Sequence, residues 1–260
     1  MKLYHNGLST CSQKVRLVLA EKSLGFDSVE LNLQKGDQFA PDYLRINPKA
    51  LVPALEDNGN IYIESSLIID YLDDANGAVP LKPRSAHERY LMNSLIRVID
   101  ETEHPACSVI TYAVGLLPLM RKNNTPEQLE KLIDAVPDPV RRENRRTVLH
   151  HGIKAPVFRE AYQTYVGVLK QADALLRNSQ WLAGRSFSLA DCSYLPYVLR
   201  LHHLGQKDFI DSLPGLSRWY AAIQARPSYT AAVTQWLPQT VVDNMLREGA
   251  AVADQLAALN

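Results

Sequence analysis

Long apolar runs, paired cysteines and an excess of charge of either sign are all missing from this 260-residue chain, and each absence removes a class of protein. No stretch approaches the roughly 18 apolar residues a membrane span needs. The N-terminus, Met1-Lys2-Leu3-Tyr4-His5-Asn6, turns polar before the apolar core of a signal peptide could form. Secretion and membrane insertion are therefore not expected. Cysteine occurs three times, as Cys11, Cys107 and Cys192, odd in number and far apart, so neither a disulfide framework nor a Cys-x-x-Cys zinc site can be assembled. A reducing cytoplasm is the expected location, and no metal is expected. The 28 basic residues are balanced by 28 acidic ones, which removes any overall attraction to nucleic acid or an anionic membrane. The expected partner is a small molecule or another protein chain.

What is present changes character along the chain. The first 75 residues alternate short strand signals with helical ones, and the rest reads almost wholly as amphipathic helix. Lys2 to His5 is a strand; from Cys11 the apolar Val15, Leu17, Val18 and Leu19 alternate with Lys14, Arg16, Glu21 and Lys22 as a helix that Gly25 should cap. Phe26 to Leu33 alternates as a second strand. Leu51 to Leu55, the turn Asn58-Gly59-Asn60 and Ile61 to Ile63 form a hairpin, and a helix starts at Ser65. This order, β-α-β then hairpin then helix, is thioredoxin-like. The expected fold is an α/β thioredoxin-like N-terminal domain (1–75), a polar, proline-broken linker (76–84) and an all-α C-terminal helical bundle (85–260), with helices near 85–115, 155–178, 189–203, 215–226 and 240–258. Ser188-Leu189-Ala190-Asp191 is a capping box. The proline-broken insert between Asn123 and Lys154 carries Arg141-Arg142-Glu143-Asn144-Arg145-Arg146, most simply a solvated helix face, and its His150-His151-Gly152 has no metal-ligand spacing.

The segment Ser9-Thr10-Cys11-Ser12-Gln13-Lys14-Val15-Arg16-Leu17 lies where the first strand feeds the first helix. A helix start offers unpaired N–H groups and a partial positive charge, a place for an anion. A free thiol with a pKa of about 8.5 is mostly protonated at neutral pH, and lowering that value by two takes about 2.7 kcal/mol. One charge-assisted hydrogen bond, about 1.5 to 3 kcal/mol, together with a helix terminus covers it. Ser9 is placed to supply that bond, although a plain N-cap is the bland alternative.

This segment resembles the cytosolic glutathione transferase superfamily. It is most similar to zeta-type members, with Ser-x-Cys-Ser, a basic residue and Val-Arg, and to bacterial tetrachlorohydroquinone reductive dehalogenases, with Ser-x-Cys-Ser-x-Lys-x-Arg-Leu. Asn47-Pro48, Val52-Pro53, Glu64-Ser65 and the Ser188 to Asp191 box fall where that family has its own, so the resemblance covers about 1–75 and 155–226. Val136-Pro137-x-Pro139 with the following arginines looks similar to bacterial lignin β-etherases, and Val109-Ile110-Thr111-Tyr112 echoes the dehalogenases.

The resemblance implies glutathione as cosubstrate and a small hydrophobic, aromatic electrophile, of β-aryl ether or aryl halide type. It implies Ser9 as the thiolate-stabilising group and Cys11, matching the dehalogenase cysteine, as a second candidate. It further implies a cis Val52-Pro53 bond whose Leu51-Val52-Pro53 backbone meets glutathione, Glu64 and Ser65 at the γ-glutamyl end, and Lys35, Gln38 or Lys49 at the glycyl carboxylate. His104, Tyr112 and Met120 are the candidate electrophile-binding residues. Insert and tail together are expected to cover the pocket, and the family implies a homodimer. Three alternatives stay open: a glutathione-dependent cis-trans isomerase, a reductive enzyme running through Cys11, and a non-catalytic interaction module.

Overall fold

The computed structural model describes residues 1–76 and 79–259. Of the expected linker, residues 77 and 78 lie outside the described residues. Four short strands, β1 (Lys2–His5), β2 (Asp27–Glu30), β3 (Ala54–Asp57) and β4 (Asn60–Ile63), form one sheet in the order β2-β1-β3-β4. β1 pairs parallel with β2, Lys2 opposite Asp27, and antiparallel with β3, Leu3 opposite Leu55. The β3–β4 hairpin turns through Asn58 and Gly59, both at positive φ (50° and 78°), as a tight right-twisting turn requires. Helices α1 (Thr10–Glu21), α2 (Pro41–Ile46) and α3 (Ser65–Ala75) complete this domain.

Two expected boundaries move for local reasons. α1 ends at Glu21, and the reversal is made by Ser23 at φ 54°, with Leu24 N–H donating to the Leu19 carbonyl at 2.8 Å, so Gly25 is not the cap. β2 stops at Glu30 because the Asn32 side chain accepts from the N–H groups of Gln34 and Lys35, folding the chain into a turn.

The α-domain begins with one long, almost unbroken helical run: α4 (Ala86–Val98), a π-helical segment Ile99–Glu103, α5 (His104–Ile110), a second π segment Thr111–Leu116, and α6 (Leu117–Asn123). Each π segment is followed within two residues by a proline, Pro105 or Pro118. Proline has no N–H for the ladder, and a widened turn absorbs the mismatch. The expected insert is structured as α7 (Pro126–Asp134), started by a Thr125–Gln128 capping box, and α8 (Pro139–His151), capped by Asp138. Then follow α9 (Pro156–Leu176), α10 (Leu189–His203), α11 (Lys207–Asp211), α12 (Pro214–Gln224), α13 (Pro227–Ala232), α14 (Gln239–Ala250) and α15 (Ala253–Ala257). The Ser188–Asp191 capping box forms, and Asp191 also accepts from Leu182 N–H and the Trp219 indole, tying three segments at the bundle centre.

The domains share one apolar core that passes through α1, which packs on α3, α10 and α13. That packing corrects the amphipathic reading of α1. Lys14 and Arg16 are 0% and 1% exposed, because the second domain covers the face their charge would give to water. Each is bonded within the protein: Arg16 donates to the carbonyls of Asn6, Gly7 and Ala232, and Lys14 to Ser66 and Asp100. The tail packs on core. Met245 and Val242 are buried, and Met245 and the Leu204 side chain both lie against Gly115, so α14 packs on the 111–116 segment and α10.

Candidate active site

The loop from β1 to α1 is held before its chemistry begins. Arg16 grips the Gly7 carbonyl at 2.9 Å, and Arg200 from α10 donates to the Leu8 carbonyl and, at 3.1 Å, to Thr111. Gly7 has to be glycine, because a Cβ there would lie 2.1 Å from the Trp236 carbonyl oxygen. Ser9 follows as the N-cap of α1, its Oγ accepting from Ser12 N–H at 3.2 Å. A hydroxyl that accepts through a lone pair still has its proton to donate, so capping and thiolate binding are compatible in Ser9.

Cys11, in the first turn of α1, lies at the meeting of both domains. Its Sγ is 3.5 Å from His104 Nδ1 and 4.0 Å from the Tyr197 hydroxyl, while Tyr197 is 3.1 Å from the same His104 nitrogen. Burial alone would push the thiol up. The His104 charge and hydrogen bond, the Lys14 charge and a contact from the Ser65 hydroxyl outweigh it and bring the pKa from 9.0 down to about 6. His104 moves the opposite way: the Cys11 charge raises it against desolvation. Each group of the pair thus favours the charged form of the other. Cys107 differs, since burial pushes its thiol up to about 11, and Cys192 is raised by burial as well.

The first turn of α3 faces this pair. Ser65 and Ser66 open the helix, and Ser66 Oγ donates to Asp100 at 2.8 Å while Lys14 Nζ bonds Asp100 at 3.0 Å, a polar bridge across the domain interface. Glu64 precedes α3 at φ 68° and is paired with Lys49 at 2.6 Å. The Val52-Pro53 bond is cis. The Leu51 carbonyl is already taken by Tyr43 and Asn47, whereas the Val52 main chain makes no hydrogen bond among the described residues. Lys35 is exposed on the loop after β2; Gln38 is buried there, its Nε2 donating to the Leu33 carbonyl while its Oε1 has no partner.

Ser9, Cys11, Ser65 and His104 are thus gathered into one site, with Leu51, Val52, Pro53, Glu64 and Lys49 beside it. Tyr112 lies one π segment further along the same helical run. It is buried against the Arg145 guanidinium, 5.3 Å from the ring centroid, and half-buried Met120 lies beyond it near the end of α6. The basic insert is not a solvated face throughout. Arg142 and Arg146 bond outward to Val136, Glu130, Asp134 and Glu143, but Arg141 donates to the Lys49 carbonyl at 3.4 Å and Arg145 turns onto Tyr112. Tyr197 and Asp100 escaped sequence reasoning: each sits in an ordinary helical pattern, and only the domain interface brings Tyr197 to Cys11 and Asp100 to Lys14.

Residues 8–75 match the N-terminal domain of glutathione S-transferases and residues 155–222 match the C-terminal domain. The chain belongs to the glutathione S-transferase family. The insert carrying α7 and α8 lies between the two matched segments of this transferase. Glutathione S-transferase TCHQD of Arabidopsis thaliana is 26% identical over 246 residues, 91% of this chain and 90% of that protein. Protein LigF of Sphingobium sp. is 27% identical over 88% of this chain and 91% of its own. The crystal structure of LigF, a beta-etherase, superposes with a TM-score of 0.81 over 89% of this chain and 97% of that one. Glutathione S-transferase Z1 of Arabidopsis thaliana is 44% identical, over 43% of this chain and 52% of that protein. Among the described residues no helix is long and apolar enough to cross a membrane.

Proposed function

We propose that this transferase binds glutathione across the first turns of α1 and α3 and uses its thiolate to displace a leaving group from a small aromatic electrophile, a β-aryl ether or an aryl halide. One observation carries the reading: two helix N-termini converge beside a peptide edge, Val52, whose N–H and C=O are uncommitted. A γ-glutamyl carboxylate suits Ser65 and the Ser66 N–H, and its ammonium suits Glu64. The cysteinyl backbone pairs with Val52, which carries the thiolate to the Ser9 hydroxyl. The S–C bond then forms as the C–O or C–halogen bond breaks, and the phenolate or halide leaves with its electron pair. The electrophile lies between Ser9 and the helical run from α4 to α6, beneath α7 and α8. Likeness to LigF over most of both chains supports the ether class.

The Cys11–His104 pair favours a second reading. A Cys11 thiolate can attack the sulfur of a glutathionyl-aryl adduct, forming a Cys11–glutathione disulfide while the aryl carbon leaves with the electron pair and takes a proton. A second glutathione thiolate then restores Cys11 and releases oxidised glutathione. The homodimer implied by the family and a cytoplasmic location belong to the same proposal.

The test is retention on immobilised glutathione, followed by mass spectrometry of the products from a β-aryl ether and from chlorodinitrobenzene. Retention with a glutathionyl adduct is expected. Retention with no adduct from either probe would leave an interaction module, and failure to bind glutathione would remove the reading altogether.

A further inference from the structure

Helix α8 carries four arginines, and they divide into two kinds. Arg146 reaches Asp134 at 2.7 Å, Glu143 at 3.3 Å and Glu130 at 3.6 Å, and Arg142 donates to the Val136 carbonyl at 2.8 Å. Arg141 and Arg145, four residues apart on one face, have no such partners. The Nε of each is buried without a hydrogen bond. Arg141 has one contact through its guanidinium, 3.4 Å to the Lys49 carbonyl, and Arg145 makes no hydrogen bond or ion pair among the described residues. The nearby carboxylates are committed elsewhere. Glu130 and Asp134 hold Arg146, and Asp138 spends an oxygen on the Arg141 backbone N–H at 2.6 Å. Burial first, and then the charge of Arg145, works against the charge of Arg141.

Two guanidinium groups that are partly stripped of water, lack a counterion and repel one another are retained at a cost, which a bound anion would relieve. Their place says where that anion lies. Arg141 touches the loop leading to Leu51-Val52-Pro53, and Leu132 of α7 contacts Gly36 on the loop after β2, so the insert overhangs the glutathione-binding face. The Tyr112 ring beneath Arg145 supplies a flat apolar wall.

We propose that Arg141 and Arg145 form a carboxylate-binding site over this cleft, a planar anion matching the guanidinium fork. The carboxylate belongs either to the glycyl end of glutathione or to the aromatic electrophile. The inference rests on the transferase reading for its ligands, and the test separates the two. Wild type, Arg145→Met and the Arg141→Met/Arg145→Met double variant are compared in three ways: affinity for glutathione against γ-glutamylcysteine, KM for a chlorodinitrobenzoate against chlorodinitrobenzene, and thermal stabilisation by nitrobenzoate against nitrobenzamide.

The expected result is a tenfold or greater preference of wild type for one carboxylate-bearing ligand over its neutral or truncated match, lost in the double variant while the match is unaffected. A preference within the peptide pair assigns the glycyl carboxylate, and one within the aryl pair assigns the electrophile. If wild type binds no glutathione, the transferase reading fails, and nitrobenzoate stabilisation still tests the arginines. Equal behaviour of acid and neutral ligands in all three comparisons, or a preference that survives the double variant, would overturn the site.

Discussion

Replacing His104 by glutamine removes the imidazole that faces Cys11 and leaves burial opposed only by the Lys14 charge and the Ser65 hydroxyl. The fall from 9.0 to about 6 represents about 4 kcal/mol of preference for the thiolate, at about 1.4 kcal/mol for each tenfold. Most of the favourable share comes from His104, so in His104→Gln the Cys11 midpoint should rise by about two pH units or more. Alkylation by iodoacetamide, followed against pH, reads this directly, because Cys107 and Cys192 are buried with raised pKa values and stay silent. Cys11→Ser supplies the blank. The rate at a single pH is a poor readout. At pH 7 the thiolate is about nine tenths populated in wild type and about a hundredth at a pKa of 9, but the more basic thiolate is about 20-fold more nucleophilic, which shrinks a difference of about 90-fold to about fourfold or fivefold. The midpoint is free of that compensation.

The linked stabilities have opposite signs. Cys11, lowered on folding, contributes stability that is lost as pH falls through about 6; His104, raised on folding, contributes stability that is lost as pH rises through its folded value. Their mutual attraction therefore contributes only where the thiol is ionised and the imidazole protonated. A wild-type alkylation midpoint near that of an ordinary cysteine, or identical profiles for wild type and His104→Gln, would refute the reasoning.

Three further outcomes follow from the site and its support. Glu64→Gln should weaken glutathione binding by about 1 kcal/mol, not the 2 to 3 of a buried contact, because the Glu64 side chain is 48% exposed and paired with Lys49; equal calorimetric affinities would move the ammonium subsite. Cys11→Ser should abolish any glutathione-disulfide chemistry while sparing thiolate displacement on chlorodinitrobenzene, and loss of both activities in a folded variant would show that Cys11, not Ser9, activates the nucleophile. Met245→Ala should cost about 2 to 5 kcal/mol in a urea titration, since Met245 is fully buried against Gly115; a near-neutral effect would detach the tail from the core.

How much of this was legible in the sequence depends on the range of the interactions involved. Short-range signals read true: the Asn58-Gly59 turn, the Ser188-to-Asp191 box and the α10 bounds Leu189–His203 all rest on bonds within a few residues. The insert reads as broken chain because its prolines, Pro137 and Pro139 among them, look like interruptions. In the structure Pro126 and Pro139 occupy the first turns of α7 and α8, where a missing N–H costs nothing, and Pro137 lies in the turn between them. At the site, Ser9, Cys11 and Ser65 could be found because each opens a helix next to a recognisable motif. His104 was visible only as a candidate for the electrophile side. Its meeting with Cys11, 93 residues away in the chain, depends on how α5 docks on α1, as do the burial of Lys14 and the approach of Tyr197. The division of the arginines in α8 was hidden for the same reason: a helix face shows its period in sequence, but not what lies across from it.

The central claim is that the hydroxyl of Ser9 holds the thiolate of bound glutathione. It is tested most directly by titrating the ultraviolet absorbance of that thiolate in wild type and in Ser9→Ala, with glutathione affinity measured on both. The account predicts nearly unchanged affinity and a bound-thiol pKa higher by about one unit or more in Ser9→Ala, the share that one charge-assisted hydrogen bond supplies. Coincident titration curves for the two proteins, with glutathione bound to both, would contradict it.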